Sequence, residues 1–186
     1  MSKIRIDYLS DVHLEAIFLA SKSHQTMLLD AYAKGLAGDR DCIPNAEQKI
    51  LVLAGDICNA TMFSQVLSVF HGLLKQENCD YDKIYYLLGN HEYYDTSLSH
   101  AQKTIQKRID SDPVLNSVMQ VVHHEYVDIG KQYRLLFTPF WYKTNPIGET
   151  WVLSHLNDFR LINNHKNKKL TYADVLAEYE ASVQFI

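Results

Sequence analysis

Residues 84–92 read IYYLLGNHE: five apolar residues, typical of a buried strand, run directly into Gly89-Asn90-His91-Glu92. Two earlier stretches have the same form, since the run ILVLA ends in Gly55-Asp56 and the run YLS leads into Asp11-Val12-His13. The strands of a parallel sheet deliver the residues that follow them to one common rim. We therefore expect the three polar clusters to lie close together.

The three clusters contain the residue types of a metal site. Two divalent ions held close together polarise a phosphate and lower the pKa of a bridging water, which makes hydroxide available near neutral pH. Asp11 and His13 are alternate residues past a strand end and could reach one ion, while Asp56 could bridge two ions with its two oxygens. Asn90 offers a neutral carbonyl oxygen to the second ion. His91 could face the substrate and protonate a leaving group.

Each cluster by itself has a simpler explanation. A lone Asp after a strand is more often a turn former or a helix cap than a metal ligand. The inference depends on all three clusters occurring in this order, each after a strand. Gly55 and Gly89 support it, because glycine fits a sharp turn where the backbone must come close to a site.

The set D-x-H, G-D and G-N-H-E resembles the calcineurin-like metallophosphoesterase superfamily. The resemblance spans roughly the first half of the chain, and residues 138–141 (TPFW) and 157–160 (NDFR) are similar to bacterial members more loosely. It implies an α/β fold, a two-sheet β-sandwich flanked by helices, with His91 as the catalytic residue. It implies that the metal ligands are Asp11, His13, Asp56 and Asn90. Two divalent ions are implied as cofactors, and manganese, iron, zinc or nickel suits their mixed oxygen and nitrogen ligands.

The second half of the chain departs from the family pattern. The family continues with one more histidine after a strand and then G-H-x-H, but no glycine follows Gly148, and the last histidine, His165, lies in a polar stretch that indicates a loop. Three ligands remain for one ion and two for the other, so we expect the second site to be incomplete. The chain is then a C-terminally shortened member, or its missing ligands come from elsewhere. The alternative to an active phosphoesterase is a weakened or inactive member or fragment that acts as a protein-binding scaffold.

Length and composition indicate one ordinary domain. With 186 residues and 47% hydrophobic content, we expect residues 1–186 to form a single domain, the N-terminal portion of the family domain. The net charge of -4 argues against a dedicated nucleic-acid surface. Three cysteines without a CxxC spacing (Cys42, Cys58 and Cys79) suggest a reducing compartment. No targeting segment or membrane-length apolar run is visible, so the cytoplasm is the expected location.

Helical periodicity follows each of the three strands, over about 23–36, 61–76 and 97–109. Asp112-Pro113 is then expected to break the chain. Short strands are expected over 118–123, 126–129 and 133–138, with Gly130 in the last turn. On such a strand, the neighbours His123 and His124 would point to opposite faces and could not easily bind one ion. Thr171 and Asp174 resemble a capping box that opens a final helix.

The C-terminal region and the aromatic residues bear on partners and substrate. The final helix ends on apolar Phe185-Ile186, and in the resembling family the next strand would carry the missing histidine. An exposed sheet edge and apolar face would favour a homo-oligomer or a partner chain. Residues 93–94 (YY) and 140–142 (FWY) are expected near the rim, where they favour a nucleotide-like or aryl phosphoester, with core packing as the simpler explanation. No membrane partner is expected.

Overall fold

The computed structural model describes residues 3–37, 46–76 and 79–186. The elements in these ranges are, in chain order, β1 (Ile4–Leu9), α1 (Lys22–Ala37), β2 (Gln48–Ala54), α2 (Phe63–Leu74), β3 (Lys83–Leu87), α3 (Ala101–Asp110), α4 (Pro113–Val118), β4 (Met119–Val122), β5 (Glu125–Ile129), β6 (Tyr133–Phe137), α5 (Pro146–His155), α6 (Asp158–Leu161) and α7 (Tyr172–Phe185). Short 3-10 turns cover Leu14–Leu19 and His91–Tyr93.

The first four strands form one parallel sheet in the order β1-β2-β3-β4. Alternate residues of β2 and β3 are fully buried on the face that α2 covers, among them Leu51, Leu53 and Tyr86. Burial of such side chains stabilises the fold by roughly 1.5–3 kcal/mol each. Because β1, β2 and β3 are parallel neighbours, their carboxyl ends lie side by side, and this edge of the sheet carries all three polar clusters.

Strands β5 and β6 form a separate antiparallel pair, joined through Gly130 at φ 61°. Ile129 and Phe137 of this pair pack on the face of the parallel sheet opposite α2, where the Phe137 ring lies 5.1 Å from that of Tyr85. The molecule thus has a parallel and an antiparallel sheet flanked by helices. This is the α/β two-sheet class that the sequence predicts.

Proline begins two helices that the sequence analysis did not predict. The expected break at Asp112-Pro113 follows the end of α3 at Asp110, and it is also the start of α4, where Asp112 Oδ1 accepts hydrogen bonds from Val114 N and Leu115 N, both at 3.0 Å. Asn145 caps α5 in the same way, accepting from Gly148 N at 2.8 Å. Proline disfavours helix for the residue before it but suits the first helical position itself. The capping box of Thr171 and Asp174 is confirmed at the start of α7.

Replacing Asp112 with Ala should lower the free energy of unfolding by about 1 kcal/mol, because two amide donors at the start of α4 lose their acceptor. Hydrogen bonding from Leu115 N, with His71 beside it, holds the pKa of Asp112 below its usual 3.8. The stabilisation that the ionised carboxylate adds to the free energy of unfolding is therefore fully present above the unfolded-state pKa. It is lost as the pH falls through the lower folded-state pKa. Urea denaturation at about pH 7 and about pH 3 measures this loss.

The matched control is Asp112→Asn, which keeps an N-cap oxygen but removes the charge that faces His71. It should unfold within a few tenths of a kcal/mol of the unsubstituted chain. An Asn variant as unstable as the Ala variant would show that the ion pair with His71, at 2.9 Å, matters more than the cap.

Two of the three cysteines lie in the described ranges. Cys58 and Cys79 are buried, and burial raises the pKa of Cys58 above its ordinary value. Cys42 lies outside the described residues.

None of the helices in residues 3–37, 46–76 and 79–186 has both the length and the apolar character needed to cross a membrane.

Candidate active site

The loops after β1 and β2 run side by side beyond the edge of the sheet. Asp11 N donates to Gly55 O at 3.1 Å, and His13 N donates to Asp56 O at 3.0 Å. Asp11, His13 and Asp56 all adopt left-handed backbone conformations, with φ of 54°, 50° and 54°. Such conformations are uncommon outside glycine and cluster at functional sites.

This loop pair brings together three of the four predicted metal ligands. Asp11, His13 and Asp56 each offer a ligand atom, and these atoms all lie within 4.8 Å of one another. His13 and Asp56 are half-buried, while Asp11 is more exposed. Two carboxylates and one imidazole at this spacing fit a divalent transition-metal ion.

The loop after β3 packs directly against the loop after β2. A Cβ on Gly55, whose φ is 92°, would lie 2.8 Å from Gly89 N, and a Cβ on Gly89 would lie 2.7 Å from Asp56 N. Neither position therefore has room for a side chain, as the sequence analysis expected. The contact lets His91 N donate to Asp56 Oδ1 at 2.9 Å.

Glu92 fixes these two loops to each other from inside the protein. Its carboxylate is fully buried and accepts hydrogen bonds from five donors: Asp56 N at 3.0 Å, Ile57 N at 2.7 Å, Cys58 N at 3.1 Å, Gly89 N at 2.8 Å and Tyr86 OH at 2.9 Å. Burial raises the pKa of Glu92, while these hydrogen bonds act in the opposite direction. The sequence analysis quoted Glu92 within its motif but assigned it no role.

Asn90 lies beside a buried carboxylate that sequence reasoning missed. Its amide nitrogen donates to Asp158 Oδ1 at 2.8 Å and lies 3.3 Å from Tyr94 OH, which also donates to Asp158 at 2.9 Å. Burial and the neighbouring Asp158 raise the pKa of Tyr94. With its nitrogen engaged, Asn90 has its side-chain oxygen left to bind a cation. The only signal for Asp158 in the sequence was the loose similarity of residues 157–160.

His91 shares a carboxylate with His13. Glu15 Oε1 lies 3.0 Å from His91 Nδ1 and 3.4 Å from His13 Nδ1. The His91 ring contacts two others, with its centroid 4.3 Å from that of the His13 ring and 4.3 Å from that of the Tyr94 ring. Glu15 was also missed, although it follows His13 by only two residues.

His123 and His124 are not arranged as predicted. Strand β4 ends at Val122, and His124 lies in a left-handed turn at φ 46°, so the two rings lie 4.3 Å apart instead of on opposite faces. The prediction of opposite faces was wrong because it extended the strand through the turn. Among the described residues, this pair is not part of any cluster with metal-ligand spacing.

The aromatic segment predicted near the rim borders a cavity. A space of about 350 Å³ is lined by the ends of β2 and β3, by Gly89 and Asn90, and by residues 138–142. Phe140 is exposed, whereas Trp141 is buried with its ring 6.0 Å from that of Tyr93. Part of the aromatic cluster is therefore core, and part faces the space next to Asn90.

Comparison with known proteins agrees with this geometry. The model of the calcineurin-like phosphoesterase family matches residues 4–181, so the chain belongs to that family. A solved structure of a phosphopantetheinyl hydrolase from Mycobacterium tuberculosis has a similar fold, with a TM-score of 0.54 at 11% sequence identity. The alignment covers 96% of this chain and 63% of that one, so the chain spans less than two thirds of that protein. No curated protein matches the sequence.

Proposed function

We propose that this chain hydrolyses a phosphoester by a metal-dependent reaction at the rim of the parallel sheet. Asp11, His13 and Asp56 would hold one divalent ion, and Asp56 with Asn90 would contribute to a second. His91 would be the catalytic residue. The observation that supports the proposal most directly is the convergence of Asp11, His13 and Asp56 within 4.8 Å.

The donor set fits a divalent ion. Carboxylate oxygens and a neutral imidazole suit manganese, iron, zinc or nickel, and the amide oxygen of Asn90 adds a neutral donor nearby. When bound, such an ion supplies a Lewis acid that neutralises phosphate charge and lowers the pKa of water. Both loops that present Asp56 and Asn90 are held in place by Glu92, so the donors are positioned by the fold itself.

The role of His91 would be to move a proton. Its Nδ1 lies at hydrogen-bonding distance from Glu15, which leaves Nε2 to approach the leaving oxygen of the substrate. Contacts with the Tyr94 ring and the His13 ring limit rotation of the imidazole. General acid catalysis of this kind contributes about 10²–10⁴-fold to the rate.

The cavity beside Asn90 favours an aryl or nucleotide-like phosphoester. Exposed Phe140 and half-buried Tyr142 border it, and an aromatic face can stack on a base or an aryl ring. We take a phosphodiester as the first substrate class to test.

The cytoplasmic location and the single domain over 1–186 stay predictions.

A second candidate is a weakened member that binds a partner. Ile6 and Tyr8, 42% and 78% exposed on β1, leave an apolar face that a partner chain or a second copy would cover. On this view the chain would retain metal but show little turnover.

His91→Ala tests the catalytic role. With manganese added and an alkyl phosphodiester as substrate, whose leaving oxygen needs a proton, kcat should fall by about 10²–10⁴-fold because the proton donor is lost. Manganese affinity, measured by titration calorimetry, should stay unchanged because His91 is not among the proposed ligands. The matched control is His155→Ala, on the exposed face of α5, which should change neither quantity.

Two results would contradict these assignments. Weaker manganese binding in the His91→Ala variant would make His91 a ligand. A chain that binds manganese but turns over no aryl phosphoester would favour the binding-only candidate over the phosphoesterase.

A further inference from the structure

We infer that Glu15 is a positioning residue, whose carboxylate accepts a hydrogen bond from Nδ1–H of His91 and so directs Nε2 of that ring toward the substrate. The substrate part of this inference rests on the proposed function. The hydrogen bond itself does not, since Glu15 Oε1 and His91 Nδ1 lie 3.0 Å apart in the chain alone.

The backbone places Glu15 firmly. The 3-10 turn Leu14–Leu19 begins directly after His13, and Leu14 and Ile17 on this turn are fully buried. Leu14 N also donates to Ile57 O at 2.8 Å, which joins the turn to the loop after β2. Glu15 therefore projects from an anchored turn, and its side chain is only 20% exposed. A carboxylate held in this way can fix the orientation of the ring it contacts.

The distances decide which of the two imidazoles Glu15 holds. His91 Nδ1 lies within hydrogen-bonding distance, at 3.0 Å, whereas His13 Nδ1 lies 3.4 Å away. Among the described residues, His13 Nδ1 has no hydrogen-bond partner. His13 belongs to two groups at metal-ligand spacing, one with Asp11 and Asp56 and one with Glu15 and His91. Only the His91 imidazole is hydrogen-bonded to Glu15.

This contact determines the tautomer of His91. A neutral imidazole carries one proton, and a carboxylate acceptor at Nδ1 favours the form with the proton on that nitrogen. Nε2 then holds a lone pair that takes up a proton from solvent and donates it to the leaving oxygen, which returns the ring to its neutral form. Without Glu15, the ring would lose this preference and part of its fixed orientation.

The tautomer can be measured directly in the metal-free chain. Long-range ¹H–¹⁵N correlation spectra at about pH 8.5, above the ordinary histidine pKa, should show His91 with its proton on Nδ1; the His91→Ala variant provides the assignment. Glu15→Met keeps the side-chain length but removes the acceptor, so the Nε2–H form should increase. Glu15→Gln keeps an acceptor oxygen and should restore the Nδ1–H form. An Nε2–H form in the unsubstituted chain, or no change in Glu15→Met, would overturn the inference.

Kinetics test the consequence for catalysis. Glu15→Met should lower kcat by about tenfold or more on an alkyl phosphoester, whose leaving group needs a proton, and by less on an aryl one, with KM unchanged. Equal losses on both substrates, or a change confined to KM, would show a merely structural role. Glu180→Met, on an exposed position of α7, is the matched control. If the unsubstituted chain shows no turnover, the proposed function fails, while the spectra still decide the role of Glu15.

Discussion

Replacing Asp56 with Asn should reduce phosphoester hydrolysis to background and weaken manganese binding by at least about tenfold. Asp56 is the one residue proposed to contact both ions, and the amide removes its negative charge and one of its two acceptor oxygens. The substitution preserves size, and an amide oxygen can still accept the hydrogen bond that His91 N donates at 2.9 Å. Calorimetric titration with manganese and a continuous aryl phosphodiester assay measure the two effects.

Asp95→Asn is the matched control for this variant. Asp95 is exposed, also has a left-handed backbone, with φ of 59°, and is not among the residues at metal-ligand spacing, so the same chemical change is made in the same conformation at a residue outside the ligand set. It should leave turnover and manganese affinity unchanged. An Asp56→Asn variant that binds manganese with undiminished affinity would remove Asp56 from the ligand set.

Replacing Glu92 with Gln should lower the free energy of unfolding by about 2–4 kcal/mol. Four backbone amides and one phenol hydroxyl converge on its two carboxylate oxygens inside the protein. An amide offers one oxygen and turns its own N–H groups toward donors, so buried N–H groups lose their acceptor. Urea denaturation followed by circular dichroism measures the change.

Tyr86→Phe provides the comparison for Glu92. It removes only the phenol donor, at 2.9 Å from Glu92, and leaves every amide bonded to the carboxylate. The substitution should lower the free energy of unfolding by about 1 kcal/mol. A Glu92→Gln variant no less stable than Tyr86→Phe would show that the carboxylate does not hold the two loops together.

The strands could be predicted because their apolar runs are local and continuous. The runs ending before Asp11, Gly55 and Gly89 correspond to β1, β2 and β3, and the short strands after residue 118 correspond to β4, β5 and β6. Helix α4 was missed because Asp112-Pro113 has the same sequence signature whether it ends a helix or begins one. Only the capping contacts distinguish the two.

The supporting residues of the site could not be predicted, because their partners are distant in the chain. His91 lies 76 residues from Glu15, and Asn90 lies 68 residues from Asp158. Glu92 was visible in its motif, but a carboxylate in a sequence does not reveal that amides will surround it. The candidate ligands follow from motif order, whereas the residues that hold them follow only from tertiary packing.

Asp56 is hydrogen-bonded to the segments of chain that follow β1 and β3. Its backbone nitrogen donates to Glu92, its backbone oxygen accepts from His13 N, and its side chain accepts from His91 N. An ion bound to its carboxylate would therefore restrain three chain segments at once. Ligand binding to the folded state alone raises the free energy of unfolding, so metal content would also set how readily this edge of the protein opens.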